Sequence, residues 1–288
     1  MLIFGESGRL GNQIFQYAAL RSLCKENETL LLLGFNELES VFDGINANII
    51  NLNSPKLERS LYYKVYPRLD WLSQKGLIGR IAENDQLNKY ELIQKKGLFN
   101  SIKFVESAYF QKETLLCRNS IKKLTFNKSI LDSTTLILNT ISSLNTKIFV
   151  HIRRGDYLFW PNRDNPAVLS ASYYKKCIDI IYSKVSNPFF IFTSDDPFYV
   201  SDVFGYLENS YISRRSSIED FALMSYCQGG ILSASSFSWW AAYLSCLNNP
   251  DGVFLAPKYW SGHSVNSWFP PNIESNFLTY VDFDITKL

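Results

Sequence analysis

The chain has 288 residues, 46% of them hydrophobic, and 29 Lys+Arg stand against 27 Asp+Glu for a formal net charge of +2. The length suits two domains of ordinary size with a sizeable core. The near-balance of charge gives no whole-protein reason to expect a nucleic acid or an anionic membrane as partner. The cysteines, Cys24, Cys117, Cys177, Cys227 and Cys246, are odd in number and form no C-x-x-C pair. The histidines are His151 and His263 alone. Those counts argue against a zinc site or a disulfide framework and for a reducing compartment. No apolar run reaches membrane-spanning length. Met1-Leu2-Ile3-Phe4 enters a glycine-bearing loop without the charged and apolar regions of a secretory signal. The expectation is a cytoplasmic protein without a transmembrane segment, with peripheral contact at the inner face of the membrane left open.

In chain order, a short apolar element leads into Gly5-Glu6-Ser7-Gly8-Arg9-Leu10-Gly11-Asn12-Gln13. A helix is expected next, because Leu10, Ile14 and Ala18 recur at i+4 and Phe15, Ala19 and Leu23 widen the stripe. A glycine loop running into a helix start is a generic anion or ligand site, here without the G-K-[ST] of a Walker loop. Leu30 to Leu33 predicts a buried strand. Residues 36–100 have no regular pattern. Their aromatics Tyr62, Tyr63, Tyr66 and Trp71 suit either packing or an acceptor-recognition surface. Ser107 to Gln111 reads as a strand end, and 121–141 as mainly helical. The polar segment 142–145 is the expected boundary, giving domains 1–145 and 146–288.

The second half alternates strand and helix. Lys147 to Ile152 reads as a strand and Ser172 to Lys184 as a helix. A second strand, Phe189 to Thr193, ends in Ser194-Asp195-Asp196. After the short strand Tyr211-Ile212, Ser216 and Glu219 form a capping box that opens a helix through Tyr226. Gly229-Gly230 should close it. Ile231-Leu232 then leads into Ser233-Ala234-Ser235-Ser236-Phe237-Ser238 and a helix through Leu244, and residues 252–256 form the last strand.

Parallel strands of this kind end along one edge, where ligands bind. Three of the ends carry polar sets: His151, Arg153, Arg154 and Asp156; Ser194, Asp195 and Asp196; Ser235, Ser236 and Ser238. Together they suit a nucleoside diphosphate. Arginine takes phosphate charge in a planar fork. Serine hydroxyls and free N–H groups at the helix start near Phe237 take phosphate oxygens, and Asp195 can accept from the N–H groups of a base. Asp195-Asp196 could instead bind a divalent cation, but no D-x-D spacing accompanies it, so the expectation is no metal. His151 is either a ligand contact or a core histidine hydrogen-bonded at a strand end.

The runs Gly8-Arg9-Leu10-Gly11-Asn12-Gln13-Ile14-Phe15-Gln16-Tyr17-Ala18, His151-Ile152-Arg153-Arg154-Gly155-Asp156-Tyr157, Ser194-Asp195-Asp196 and Ser235-Ser236-Phe237-Ser238-Trp239-Trp240-Ala241-Ala242 resemble, in this order, the α-1,2-fucosyltransferases of glycosyltransferase family 11. The resemblance implies an α/β, GT-B-like fold of two Rossmann-type domains facing across a cleft, with the acceptor on the N-terminal side. It implies GDP-fucose as donor, no metal or other cofactor, and inversion at the fucose anomeric carbon. The acceptor would be a glycan, at the 2-hydroxyl of a β-galactoside. It assigns the GDP diphosphate to the His151–Asp156 and Ser235–Ser238 segments, and sets Gly11, Asn12 and Gln13 toward the cleft. Arg9 stands where many members have glycine and resembles the related protein O-fucosyltransferases.

Arg153 is the expected β-phosphate contact, where leaving-group charge develops. Arg154 shares it or braces the loop. Asp156 is the candidate base for the acceptor hydroxyl, or else a salt-bridge partner of Arg154, and Asn12 orients a ligand. The competing expectations are transfer of fucose to a protein hydroxyl, transfer of another GDP- or UDP-linked sugar, and non-catalytic carbohydrate binding. Phosphoryl transfer would ask for a P-loop lysine and a metal.

Overall fold

The computed structural model describes residues 1–51, 64–86 and 89–283. The chain forms two compact units, Met1–Asn127 and Lys128–Leu288.

In the first unit the strands are β1 (Leu2–Gly5), β2 (Leu30–Leu33), β3 (Phe42–Asp43), β4 (Asn48–Ile50), β5 (Ile78–Gln86), β6 (Lys89–Lys95), β7 (Phe99–Val105) and β8 (Thr125–Phe126). Six of them form a sheet in the order β4-β2-β1-β7-β5-β6. β1 is central and buried along its length, parallel to both β2 and β7. The expected helix runs from Leu10 to Leu23 and is buried nearly all round over its first three turns, more than the i+4 stripe alone requires. Phe4 of β1 packs its ring 6.1 Å from Phe35 and 5.9 Å from Phe110.

The stretch without sequence pattern contains a helix (Tyr66–Gln74) and the strands β5 and β6, after which β7 returns to pair parallel with β5. β5 and β6 pair antiparallel from Arg80 opposite Lys95 to Gln86 opposite Lys89. These strands are rich in Glu, Asn, Gln and Lys, poor strand formers. Placed at the sheet's rim, the lysines keep the open edge of β6 from pairing further. Tyr62 and Tyr63 lie outside the described residues. Tyr66 packs on Phe104, ring centroids 4.9 Å apart, while Trp71 is exposed.

In the second unit β9 (Thr146–Ile152), β10 (Pro188–Ser194), β11 (Ser210–Ile212), β12 (Gly229–Ile231), β13 (Phe254–Pro257) and β14 (Thr279–Val281) form one wholly parallel sheet, ordered β11-β10-β9-β12-β13-β14. A parallel sheet is covered on both faces, so its strands read as continuous apolar runs. Ile148, Val150 and Ile152 of β9 pack with Phe190 and Phe192 of β10 and with Tyr173, Tyr174, Ile178 and Ile181 of the helix Ala171–Lys184. Each such side chain contributes roughly 1.5–3 kcal/mol when fully buried. Gly229 and Gly230 open β12 instead of closing the preceding helix. A Cβ on Gly230 would lie 2.2 Å from the Phe149 ring, so the strand can pass only as glycine.

The capping box forms as read: Ser216 accepts from the Glu219 N–H and the Glu219 carboxylate accepts from the Ser216 N–H. Glu219 has a further partner from outside its own helix. Ser133, on the helix Lys128–Thr140, donates to Glu219 Oε1 at 2.6 Å. The helix expected to close the first half therefore packs in the second unit, and the division falls at 127/128, upstream of the polar segment at 142–145. With Ser133 as its foremost cause, joined by Ser216 and Arg215, the Glu219 carboxyl is pulled down to about 2.

Candidate functional site

Register aligns the strand ends of the second unit. Ser194 of β10 pairs level with Ile152 of β9, and Ile231 of β12 with Val150. The residues just beyond, from Arg153, Asp195 and Ser233, therefore meet at one edge of the sheet.

Arg153 and Arg154, adjacent in sequence, diverge at once. The Arg153 guanidinium donates from Nε and Nη2 to Asp156 Oδ1 (2.9 and 2.6 Å), and its Nη1 lies 3.1 Å from Asp195 Oδ2. Arg154 donates through Nε to Asp196 Oδ2 at 3.2 Å and lays its guanidinium 3.6 Å from the centre of the Tyr199 ring. Arg154 thus braces the loop against the start of the next helix. Asp156 pairs with Arg153, not with Arg154. Asp195 binds the loop twice, since its Oδ1 also accepts from the Arg154 N–H at 2.8 Å. A Cβ on Gly155 would stand 2.7 Å from Asp195 Oδ2, so glycine is what lets the backbone come this close. Asp195 and Asp196 are thereby held as partners of arginines. Among the described residues, no group of three or more His, Cys, Asp or Glu gathers as metal ligands.

His151 is buried, with Nδ1 2.7 Å from Ser233 Oγ and its ring 5.4 Å from that of Phe237. Burial, with Arg153 nearby, pushes its pKa down to about 3, so the imidazole is neutral near pH 7. The core-histidine alternative describes its surroundings. Tyr157 donates to the Ala234 carbonyl at 3.0 Å and ties the arginine loop to the serine turn; burial raises its hydroxyl to about 12.

The four residues of the serine turn divide by direction. Ser235 caps the helix Ser236–Asn248 by accepting from the Phe237 N–H. Ser238 is fully buried and donates to the Ser233 and Ser235 carbonyls, so it holds the turn's shape and does not face a ligand. Ser236 and Phe237 are half-exposed, and the helix has no acidic residue in its first turn. Immediately after them the motif becomes core: Trp239 and Trp240 are fully buried, and Trp239 Nε1 donates to Ser275 at 3.0 Å.

In the first unit the glycine loop is differently occupied. Gly8 sits at φ 84°, a left-handed turn that other residues resist. Asn12 accepts from Gln111 Nε2 at 2.7 Å. Gln13 is buried, donating to Glu6 at 2.7 Å and accepting from the Leu38 N–H at 2.9 Å, so its amide braces the fold. Gly11 is buried inside the helix. The expected anion site at this helix start is filled from within: Glu37 Oε2 accepts the Leu10 N–H at 2.8 Å, and Arg9 lies 3.6 Å from the same carboxylate.

Two carboxyls near these sites carry no sequence signal. Glu37 is one. Asp220 is the other: buried in the helix Ser217–Ser225, it accepts from Ser213, just past the end of β11, at 2.5 Å. Burial raises its pKa to about 7. Within the sequence it was one acidic residue after a capping Glu, indistinguishable from first-turn charge.

The family model described as "Glycosyl transferase family 11" matches residues 4–279. The O-antigen biosynthesis glycosyltransferase WbnK of Escherichia coli is 28% identical over 91% of this chain and 97% of its own. The galactoside alpha-(1,2)-fucosyltransferase 2 of Rattus norvegicus is 25% identical over 89% of this chain and 69% of its own. Among solved structures, the fucosyltransferase NodZ from Bradyrhizobium superposes with a TM-score of 0.52 at 14% identity, over 84% of this chain and 92% of that one. That likeness is one of fold, mixed α/β and GT-B-like.

Proposed function

The chain belongs to glycosyltransferase family 11 and is a glycosyltransferase; from that premise we propose that it moves L-fucose from GDP-fucose to the 2-hydroxyl of a β-galactoside, without a metal and with inversion. The observation that carries the reading is the pairing of a guanidinium, Arg153, with an acid-free helix start at Ser236 on one sheet edge. The name of the rat relative, a galactoside α-(1,2)-fucosyltransferase, supports the transferred sugar, the acceptor class and the linkage.

In this reaction the acceptor oxygen forms a bond to the anomeric carbon as the bond to the β-phosphate oxygen breaks. GDP departs with the electron pair and the acceptor proton passes to a base. We assign Arg153 to the β-phosphate, where charge grows during bond breaking and a fixed cation is worth most. Ser236 and the N–H groups around Phe237 take phosphate oxygens. Ser235 and Ser238 hold that turn, His151 supports it as a neutral ring, and Asp195 anchors the loop and offers an acceptor to the base. Asp156 is assigned the proton. Arg153 occupies only one of its oxygens, and its side chain is 61% exposed, open to an incoming hydroxyl. Asn12 orients a ligand group and takes no proton. No helix among the described residues is long and apolar enough to cross a membrane. Action in the cytoplasm is part of the proposal, with peripheral contact at the inner face of the membrane left open.

The test is linkage analysis of products from GDP-fucose and a panel of β-galactosides, with and without excess EDTA. An α-1,2-linked fucosyl product, formed equally with EDTA, is the expected result. Transfer to a protein hydroxyl only, or turnover restored only by Mg²⁺ or Mn²⁺, would replace this reading.

A further inference from the structure

Beside Arg153 runs a line of aromatic rings that the phosphate chemistry leaves unused. The Arg153 guanidinium lies 5.6 Å from the centre of the Tyr157 ring. Tyr157 stacks on Trp160 with centroids 5.4 Å apart and planes 29° apart, and Trp160 meets Phe269 at 5.9 Å. The inner end of the line, Tyr157, is half-buried, but Trp160 and Phe269 are 40% and 44% exposed, and neighbouring Phe159 is 58% exposed. Core aromatics of this chain, such as Trp239 and Trp240, are fully covered.

The open rings stand on fixed backbone. The Trp160 N–H donates to the Asp156 carbonyl (3.0 Å) and its carbonyl accepts from Ala167 (2.7 Å). Val168 donates to the Tyr157 carbonyl (3.2 Å), and the Phe269 carbonyl accepts from Ser261 (3.1 Å). The Tyr157 hydroxyl is anchored on Ala234. Large apolar surface held rigid in water, continuous with a polar site, marks a place where a ligand is received at small ordering cost.

We propose that Trp160 and Phe269, both of the second unit, form an acceptor subsite that takes the apolar C–H face of the galactoside ring, where the family resemblance alone would set the acceptor on the N-terminal side; this deepens the fucosyl-transfer reading and rests on it. Direction decides between acceptor and nucleotide. Arg153 is gripped by Asp195 on one side and by Asp156 on the other. The acceptor hydroxyl must reach the group that takes its proton, assigned to Asp156. Trp160 follows the 3₁₀ turn Gly155–Leu158 that carries Asp156 and is tied to it by the 3.0 Å backbone bond, so indole and carboxylate stem from one short turn beside Arg153. A sugar resting on the indole would therefore set a ring hydroxyl beside that carboxylate. A guanine base belongs on the opposite flank, toward Asp195.

The experiment uses the full chain with GDP-fucose and lactose. Steady-state kinetics are taken for wild type, Trp160→Ala, Phe269→Ala and Trp160→Phe, with GDP affinity by calorimetry and a thermal melt of each. Trp160→Ala is expected to raise the lactose KM by about tenfold or more, as loss of an aromatic anchor does. Phe269→Ala should raise it less and Trp160→Phe should recover most of the loss, with GDP affinity held throughout. An unchanged lactose KM in both alanine variants overturns the subsite. So does a GDP affinity that falls in step with lactose, because the rings would then serve the nucleotide. A wild-type chain that binds no GDP overturns the fucosyl-transfer reading and the subsite together.

Discussion

Two turns of this molecule look alike as sequence and differ as chemistry. Each follows a buried parallel strand, each opens a long helix, and neither helix carries an acidic residue in its own first turn. In the first unit the helix start at Leu10 is taken by Glu37, a carboxylate 27 residues away that accepts its N–H at 2.8 Å. In the second unit the start at Ser236 is capped by the neutral Ser235, with Arg153 on the neighbouring strand end. The partial positive charge of a helix start attracts any anion. The first turn has spent it on the protein's own carboxylate, whereas the second is the turn to which we assign a ligand. A strand–loop–helix turn is a phosphate site only where the fold has not already supplied the anion.

The largest expected effect tests the cation of the second turn. Arg153→Ala should lower kcat by about a hundredfold or more, as removal of a transition-state charge donor does. Arg153→Lys keeps the charge, loses the fork, and should lower kcat more than it raises the donor KM. Circular dichroism and melting should show both variants folded, because the guanidinium sits at the sheet edge and not in the core. Near-normal kcat in Arg153→Ala would end its role and dissolve the contrast between the turns. Next in size is Ser236→Ala. Loss of a hydrogen bond to a charged group costs about 1.5–3 kcal/mol, read as weaker GDP binding in calorimetry with acceptor affinity kept. Unchanged GDP affinity would move the phosphate site elsewhere.

Asp220 sharpens the comparison differently, since burial in the second unit keeps it protonated far above the ordinary carboxyl range, up to about 7. Its folded pKa of about 7 lies above the unfolded carboxyl value. Between the two, the unfolded chain has lost a proton that the folded chain still holds. Stability should therefore fall as pH rises from about 4 to about 7, by at most about 1.4 kcal/mol per pH unit. Asp220→Asn keeps an acceptor for Ser213 and removes the charge. Urea titrations from pH 5 to 8 should show a flatter profile and a variant at least as stable as wild type at pH 8. A profile equally steep in the variant would assign the slope to other groups.

How much of this was legible follows from range. The strand ends at Arg153 and Asp195, and the Ser216–Glu219 box, depend on neighbours in sequence, and they form where they were read. The partners that decide direction are distant. Glu37 reaches back to Leu10, Ser133 carries the helix 128–140 into the second unit through Glu219, and Ser233 turns His151 inward. Ser238 and Gln13 belong to motif runs, yet their side chains face the interior, which only packing determines. The β5–β6 pair escaped reading because exposed rim strands need charge more than β propensity.

The smallest expected effect bears most directly on the contrast between the two turns. Glu37→Ala removes the acceptor of the Leu10 N–H and the partner of Arg9, and loss of a helix cap costs about 1 kcal/mol. Glu37→Gln keeps an oxygen for the N–H but loses the charge facing the helix start, so its cost should be smaller. Ser235→Ala in the second unit removes a cap as well and should cost a similar amount. The pair is separated by nucleotide affinity. Ser235→Ala should weaken GDP binding because it loosens the turn that presents Ser236. Glu37→Ala should leave GDP binding unchanged because its carboxylate serves the start of the first-unit helix Leu10–Leu23 and its neighbour Arg9. Denaturation midpoints and calorimetric GDP titrations of the three variants make the comparison. If Glu37→Ala tightened GDP binding, the carboxylate would have been repelling a phosphate from the first turn, and that turn would be an anion site held in check by its own cap.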